Sequence, residues 1–206
     1  MNSQLQSVAE YYSNKVLTHG ATPRGADWNS AEGQQLRFNT LLRILPASSE
    51  PTNLDDYGCG YGALFDYLRS SIHQTVDYLG LDVSAAMIAE AHACHPMDTA
   101  RFNHGSASPR RADFAVASGI FNVRLKTAVG DWEKHIADTL DAMHAGTVRG
   151  FAFNCLTSYS DPPKRQEHLY YGDPCFYFDL CKQRYAHNVA LLHDYGLYEF
   201  TILVRK

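Results

Sequence analysis

The sequence predicts an α/β fold: a mostly parallel sheet flanked by helices and finished by an antiparallel hairpin. Three observations carry this. Residues 53–82, NLDDYGCGYGALFDYLRSSIHQTVDYLGLD, read as a strand, a glycine-dense turn, a helix and a second strand ending in an acid. Short apolar runs then alternate with helix-patterned segments as far as residue 156, the order from which parallel sheets are built. Finally, 187–193 and 197–204 are β-patterned around Asp194-Tyr195-Gly196, a hairpin signal.

A chain of 206 residues fits a single domain over its whole length, 1–206. Its 45% hydrophobic and 19% charged residues are those of an ordinary globular protein. The net charge of −4, with no lysine- or arginine-rich block, argues against nucleic acid as the main partner. Five cysteines without C-x-x-C spacing, behind a polar MNSQLQSVAEYYSNK start, point to reduced thiols and a cytoplasmic protein. No apolar run reaches the ~18–20 residues a membrane span needs, so no membrane partner is expected.

Each element follows from local pattern. Leu5, Val8, Tyr11, Tyr12, Lys15 and Val16 recur at helical spacing, and the glycines and proline of 19–25 end that helix. Ser30 or Asn29 caps a second helix bearing Leu36, Phe38, Leu41, Leu42 and Leu45, which stops before Pro46. A loop over 47–52 leads to the first strand, 54–57. Leu64, Phe65 and Leu68 mark one buried face of the next helix, and 78–82 is the second strand. Ser84 caps a helix over 83–91. His92, Cys94 and His95 crowd its end, but structural zinc wants four ligands and no second pair sits at a recognised spacing, so no metal is expected. Residues 100–106 form a strand and its loop. The run 111–122 is a fourth strand, apolar in the middle as a strand covered on both faces should be. A helix over 130–143 presents Trp132, Ile136, Leu140 and Met143 as a core stripe, and 149–156 is the fifth strand. Residues 157–178 are the least regular part. A connection this long in a compact domain is functional or disordered, and its tyrosines argue against disorder. A last helix covers 178–184.

The chemistry centres on the turn. Glycines at 58, 60 and 62 let the backbone turn without a Cβ and approach a ligand. Asp82, twenty residues past Gly62, stands where the end of a parallel strand can offer a carboxylate to ribose hydroxyls. Gly58-x-Gly60-x-x-Ala63 alone also fits a relaxed dinucleotide fingerprint, which keeps an NAD(P)- or FAD-dependent oxidoreductase open. The longer pattern is more specific. Asp56-Tyr57-Gly58-Cys59-Gly60-Tyr61-Gly62, followed by Gly80-Leu81-Asp82-Val83-Ser84 and Met87, resembles the class I S-adenosylmethionine (SAM)-dependent methyltransferases.

That resemblance implies a Rossmann-like three-layer sandwich on a seven-stranded sheet, with SAM as cofactor and S-adenosylhomocysteine (SAH) as its product. It implies a cofactor site of Asp56, Gly58, Cys59, Gly60, Gly62, Asp82, Val83 and Met87, with the acid after the second strand holding the ribose. The residues agree with it independently. SAM lacks a pyrophosphate and needs no helix N-terminus aimed at an anion, while its ammonium, sulfonium and ribose suit carboxylates such as Asp56 and Asp82. In the family an acid often follows the glycine after the third strand and contacts adenine; here Ser106 holds that place.

In such proteins the N-terminal helices, here 1–45, often cover the cofactor. Tyr12 and Trp28 are then either site residues or amphipathic packing residues, while Tyr11 reads as packing. Arg37 either forks the SAM carboxylate or is solvated. Ligands in open α/β sheets bind at strand C-termini, so Ser118 opens beside the cofactor. Phe121 and Asn122 are acceptor candidates, or core in the case of Phe121. The 157–178 segment is read as an acceptor-side wall, with Tyr159, Tyr170 and Tyr171 as contacts.

Methyl transfer from a sulfonium is an in-line displacement that chiefly needs alignment and exclusion of water, and a base where the acceptor is a hydroxyl or protonated amine. Of His19, His104 and His193, His19 in the lid-like turn is the first catalytic candidate, with Tyr12 beside it. The expected acceptor is a small molecule methylated on oxygen or nitrogen, a saccharide or secondary-metabolite precursor among the candidates, by a monomer or homodimer. The 19–28, 117–122 and 194–200 segments are also similar to a bacterial small-molecule branch, some members of which modify polysaccharides. The alternative is a SAM-binding module without transferase activity.

Overall fold

The structure, a computed structural model, describes residues 3–47, 50–71 and 75–206. Residues 48–49 of the expected loop before the first strand, and 72–74 within the 53–82 stretch, lie outside the described residues.

Among the described residues the sheet has seven strands in the order β3-β2-β1-β4-β5-β7-β6. Strands β1 (Thr52–Tyr57), β2 (Val76–Asp82), β3 (Phe102–His104), β4 (Ala112–Ala117) and β5 (Thr147–Leu156) are parallel. β7 (Glu199–Arg205) slots antiparallel between β5 and β6 (Asn188–Leu192). The terminal hairpin is thus present, and its second strand is the inner one.

Helices cover both faces. On one side α2 (Ala31–Leu41), α3 (Ala63–Ser71) and α4 (Ala85–Cys94) pack Phe38, Leu41, Leu64, Phe65, Leu68, Ile88 and Ala91 against Leu54, Phe114, Val116 and Leu203. On the other, α5 (Val129–Gly146) and α6 (Pro174–Arg184) bring the Trp132, Ile136, Leu140 and Met143 stripe, Tyr177 and Cys181 onto Ala115, Phe151, Phe153, Ile202 and Val204. Alternate residues of each central strand feed opposite cores, as the two-residue period of a strand requires. The helix starts follow their caps. Ser30 Oγ accepts from Gly33 N at 3.0 Å and Ser84 Oγ from Met87 N at 3.1 Å.

Several boundaries depart from expectation; α2, for one, ends at Leu41 and gives way to a 3-10 turn over Leu42–Ile44 rather than running to Leu45. β4 stops at Ala117, because the chain turns at Gly119 and Asn122 N donates back to Gly119 O at 3.2 Å. The last helix starts four residues early: Asp173 Oδ1 accepts from Cys175 N at 2.8 Å, and Pro174 opens α6 at the position where its missing N–H costs nothing. The third strand is only Phe102–His104, at the sheet edge.

One connection is unlike the others. Helices α3, α4 and α5 lie between β1 and β2, β2 and β3, and β4 and β5, whereas residues 105–111 join β3 to β4 with no regular element. Parallel strands usually need a dozen or more residues to cross over. This short crossing is fixed through Asp55, buried on β1, which accepts from Ser108 Oγ at 2.6 Å and Arg110 Nε at 2.8 Å.

The N-terminal helix α1 (Ser3–His19) is held above the strand tips. Ser13 Oγ meets Ser84 Oγ at 2.8 Å, and Tyr11 and Lys15 both donate to Asp27, at 2.6 and 2.5 Å.

Candidate active site

The C-terminal tips of β1, β2 and β4 lie side by side, so Asp56, Asp82 and Ser118 come to one place, a cavity of about 410 Å³. The glycine turn forms its floor. Gly58 N and Cys59 N both donate to Leu81 O, at 2.7 and 3.0 Å, and Gly60 N donates to Asp82 Oδ2 at 2.9 Å. Gly58 has φ +79°, and a Cβ there would lie 2.1 Å from Ile120 of the β4 loop, so only glycine lets the two loops meet.

The two carboxylates differ. Asp82 also accepts from Ser84 N, through Oδ1 at 2.8 Å; burial raises its carboxyl above the usual range while these two N–H groups oppose the shift. Asp56 Oδ2 accepts from the Tyr78 hydroxyl at 2.7 Å, but its Oδ1 is buried with no partner, and burial pushes the carboxyl up to about 7. Ser118 Oγ is likewise buried and unpartnered. Buried polar atoms normally have partners, and two orphans on residues that line one cavity mark a place for a polar ligand. Among its described lining residues are three carboxylates (Asp56, Asp82 and Asp138) and one imidazole (His135), with no lysine or arginine. That donor set suits a ligand bearing an ammonium, a sulfonium and hydroxyls.

Of the residues singled out in the sequence, Asp56, Gly58, Cys59, Gly60, Asp82, Val83, Met87, Ser106, Ser118, Trp28 and Tyr12 all line this cavity. Others do not. Gly62 faces away, where a Cβ would lie 2.8 Å from the His95 ring; its bareness serves packing beneath the loop. Arg37 is bound to Glu199, with Nη2 to Oε1 at 2.7 Å and Nε to Oε2 at 2.9 Å, and stacks 4.1 Å from the Trp28 ring centroid. His19 is exposed at the end of α1, and His104 and His193 are exposed as well. Phe121 is wholly buried and its carbonyl accepts from Trp132 Nε1 at 2.9 Å; because β4 ends early, Ile120 lines the cavity instead. Asn122 Oδ1 accepts from Leu156 N at 3.0 Å and its carbonyl from Tyr170 N at 2.8 Å, so it ties loops together.

Tyr159, 68% exposed, lies against the His193 ring. The buried Tyr170 hydroxyl sits between Glu133 at 3.0 Å and Tyr177 at 2.9 Å, and the Tyr171 hydroxyl accepts from Gln166 N at 2.9 Å.

Sequence reading missed Gln34, Ile120 and one face of α5. His135, Thr139 and Ala142 recur at helical spacing beside the core stripe and line the cavity. Burial lowers the His135 imidazole below its ordinary value, against the pull of Asp138. A more open hollow, walled by Arg124, Lys126, Asp131, Lys134, Glu167 and His168, shares His135 and Asp138 with the cavity.

No model of a protein family matches the sequence. A Mycobacterium tuberculosis protein named "Putative methyltransferase Rv1506c" is 55% identical over 166 residues, which cover 80% of this chain and 99% of that protein. Among solved structures, the SAM-bound magnesium protoporphyrin IX methyltransferase ChlM from Synechocystis PCC 6803 matches with a TM-score of 0.67 at 12% identity, over 100% of this chain and 98% of that one. The DhpI–SAH complex matches with a TM-score of 0.64 at 15% identity, over 97% and 95%. At these identities the structural likeness speaks for the fold, and it agrees with the sequence relative and the motifs at 56–62 and 80–87. The chain belongs to the class I S-adenosylmethionine-dependent methyltransferase family.

Proposed function

We propose that this methyltransferase acts on an oxygen or nitrogen atom of a small molecule, with SAM held at the tips of β1, β2 and β4. The observation that carries the reading is the cavity joining the Gly58–Gly60 turn to Asp56 and Asp82, with Asp56 Oδ1 and Ser118 Oγ lacking protein partners. Asp82 would hold the ribose. A carboxylate has about four acceptor sites, and the backbone uses two here. Asp56 would face a cationic group, Val83 and Met87 the adenosine, and Ser106 and Ser118 its polar edges. Trp28 and Gln34 would close the far end. The bound cofactor supplies a methyl group already activated by its sulfonium.

What the chain adds is alignment and exclusion of water, from α1 and the turn bearing Trp28. The N-terminal segment 1–45 serves as the cap, and 157–178 bounds the neighbouring hollow through Glu167 and His168. Burial holds the Tyr12 hydroxyl protonated far above its ordinary range, which makes it an orienting group rather than a base. His135 takes the role first given to His19: an imidazole kept neutral by burial, on the cavity wall, able to accept a proton. ChlM, a neighbour in fold, is a methyltransferase of magnesium protoporphyrin IX, and a small-molecule acceptor is in keeping with that likeness.

Calorimetric titration with SAM and SAH tests the cofactor site. One site per chain is expected, and Asp82→Ala weakens it by more than about tenfold; no binding, or an unchanged constant in the variant, sinks the assignment. Methyl-labelled SAM incubated with a cell extract tests the acceptor class, with label expected in the dialysable fraction rather than in protein or nucleic acid.

A further inference from the structure

We infer that the limb of the cavity between α1 and α5 receives the body of the methyl acceptor, and that this body is apolar and carries no anionic group. The inference rests on the cofactor reading above and assigns the space that reading leaves over. The strand tips, with Asp56, Asp82, Gly60 and Ser118, account for the cofactor. Besides these, the cavity is lined by Tyr57 and Leu81, which belong to the α5 face of the sheet, and by Thr139 and Ala142 of α5.

It exists because residues 105–111 cross from β3 to β4 without a helix, leaving that face to be covered from the sides. The sides are Leu5 and Val8 of α1 and Trp132 of α5. Few polar groups enter it. The Thr139 hydroxyl is already donated to His135 O at 2.9 Å and Asp138 is paired with Lys134 at 2.6 Å, which leaves the Tyr12 hydroxyl and the His135 ring to meet a reacting hydroxyl or amine. Apolar walls select an apolar body.

Anions are excluded. No lysine or arginine is among the described lining residues, so a carboxylate or phosphate between these apolar walls would be desolvated with no counter-ion. In the adjoining hollow, Lys134 is paired with Asp138 at 2.6 Å and Arg124 donates to Thr127 O and Glu167 O at 2.8 and 2.7 Å.

The test uses the whole protein saturated with SAH and a set of one-chain probes: butanol, hexanol, octanol, octylamine and octanoate, followed by calorimetry. Emission from Trp132 in a Trp28→Phe variant, which leaves it the sole tryptophan, locates the probe. Affinity should rise roughly fourfold per methylene along the alcohols, and octanoate should bind at least about tenfold more weakly than octanol. Thr139→Phe and Ala142→Phe, on successive turns of α5, should each weaken octanol about tenfold while the SAH constant stays within about twofold. Octanoate binding as well as octanol, affinity independent of chain length, or octanol unaffected in both phenylalanine variants overturns the inference alone. Failure of SAH itself to bind overturns the cofactor reading, and this inference with it.

Discussion

At the scale of single residues, Asp56 carries the most testable chemistry. One oxygen is satisfied by the Tyr78 hydroxyl and the other is buried with no protein partner. A carboxylate there lacks solvation, so its proton is held up to about pH 7, against an ordinary value near 4. The sign follows from linkage. Between those values the folded chain binds more protons at this site than the unfolded chain, so the contribution to stability is complete below about pH 4 and is lost as pH rises through about 7. Asp56→Asn keeps an acceptor for Tyr78 and cannot ionise. Without cofactor, the variant should match the wild type at pH 4 and exceed it at pH 8 by a few kcal/mol in urea unfolding; equal stability at both pH values would contradict the raised proton affinity. A cationic cofactor reverses the preference of the site. Wild-type protein titrated with SAM at pH 6 should therefore release a proton, seen as heat that varies with the ionisation enthalpy of the buffer, and Asp56→Asn should not.

Among elements, the junction of α2 with β7 shows what a local reading cannot reach. The type of Arg37 and its place on a helix beside the glycine turn suit a carboxylate ligand, and it has a carboxylate, but one 162 residues away. Glu199 opens β7, is 1% exposed, and also accepts from Asn154 Nδ2 at 2.9 Å, while Asn154 Oδ1 accepts from Gly119 N at 2.6 Å. The chain Arg37–Glu199–Asn154–Gly119 thereby fixes the β4 loop that bears Ser118. Glu199→Ala strands a buried guanidinium and should cost about 3 kcal/mol or more, whereas Arg37→Met with Glu199→Met should cost less than that single change. The double variant also tests the role first read from the sequence. SAH affinity kept within about threefold leaves Arg37 to structure, and a loss beyond about tenfold would return it to the cofactor. Elements whose signals are local were legible in advance: the Ser30 and Ser84 caps, the 58–62 turn, the α5 core stripe. What was not legible depends on contacts between distant segments, as with Glu199 capturing Arg37, or on where a strand stops, as with Phe121 turned into the core and Ile120 into the cavity.

For the whole molecule, the sheet order decides which parts the fold can lose. β7 lies between β5 and β6, pairs along Gly150–Leu156 and Asn188–Leu192, and sends Phe200, Ile202 and Val204 to one core and Leu203 to the other. Its residues come last in sequence, yet without them β6 has no partner strand and β5 has an open edge lined by fully buried phenylalanines. Alternation of helix and strand, with a hairpin signal at the end, was enough to predict an antiparallel closure; the inner place of β7 depends on long-range pairing and was not. The N-terminal helix is the opposite case. α1 places only Val8 and Val16 among the buried hydrophobics, and its ties to the rest are mostly polar: Ser13 to Ser84, Tyr11 and Lys15 to Asp27. A chain lacking residues 199–206 should therefore show no cooperative thermal transition. A chain lacking 1–18 should keep one at a lower midpoint, because the sheet and both cores remain, and should lose most of its SAH affinity because the turn that carries Trp28 loses its ties from Tyr11 and Lys15 to Asp27. Differential scanning calorimetry beside SAH titration separates the two outcomes. Loss of the transition on removal of 1–18 would mean that α1 is part of the folding unit rather than a cover laid upon it.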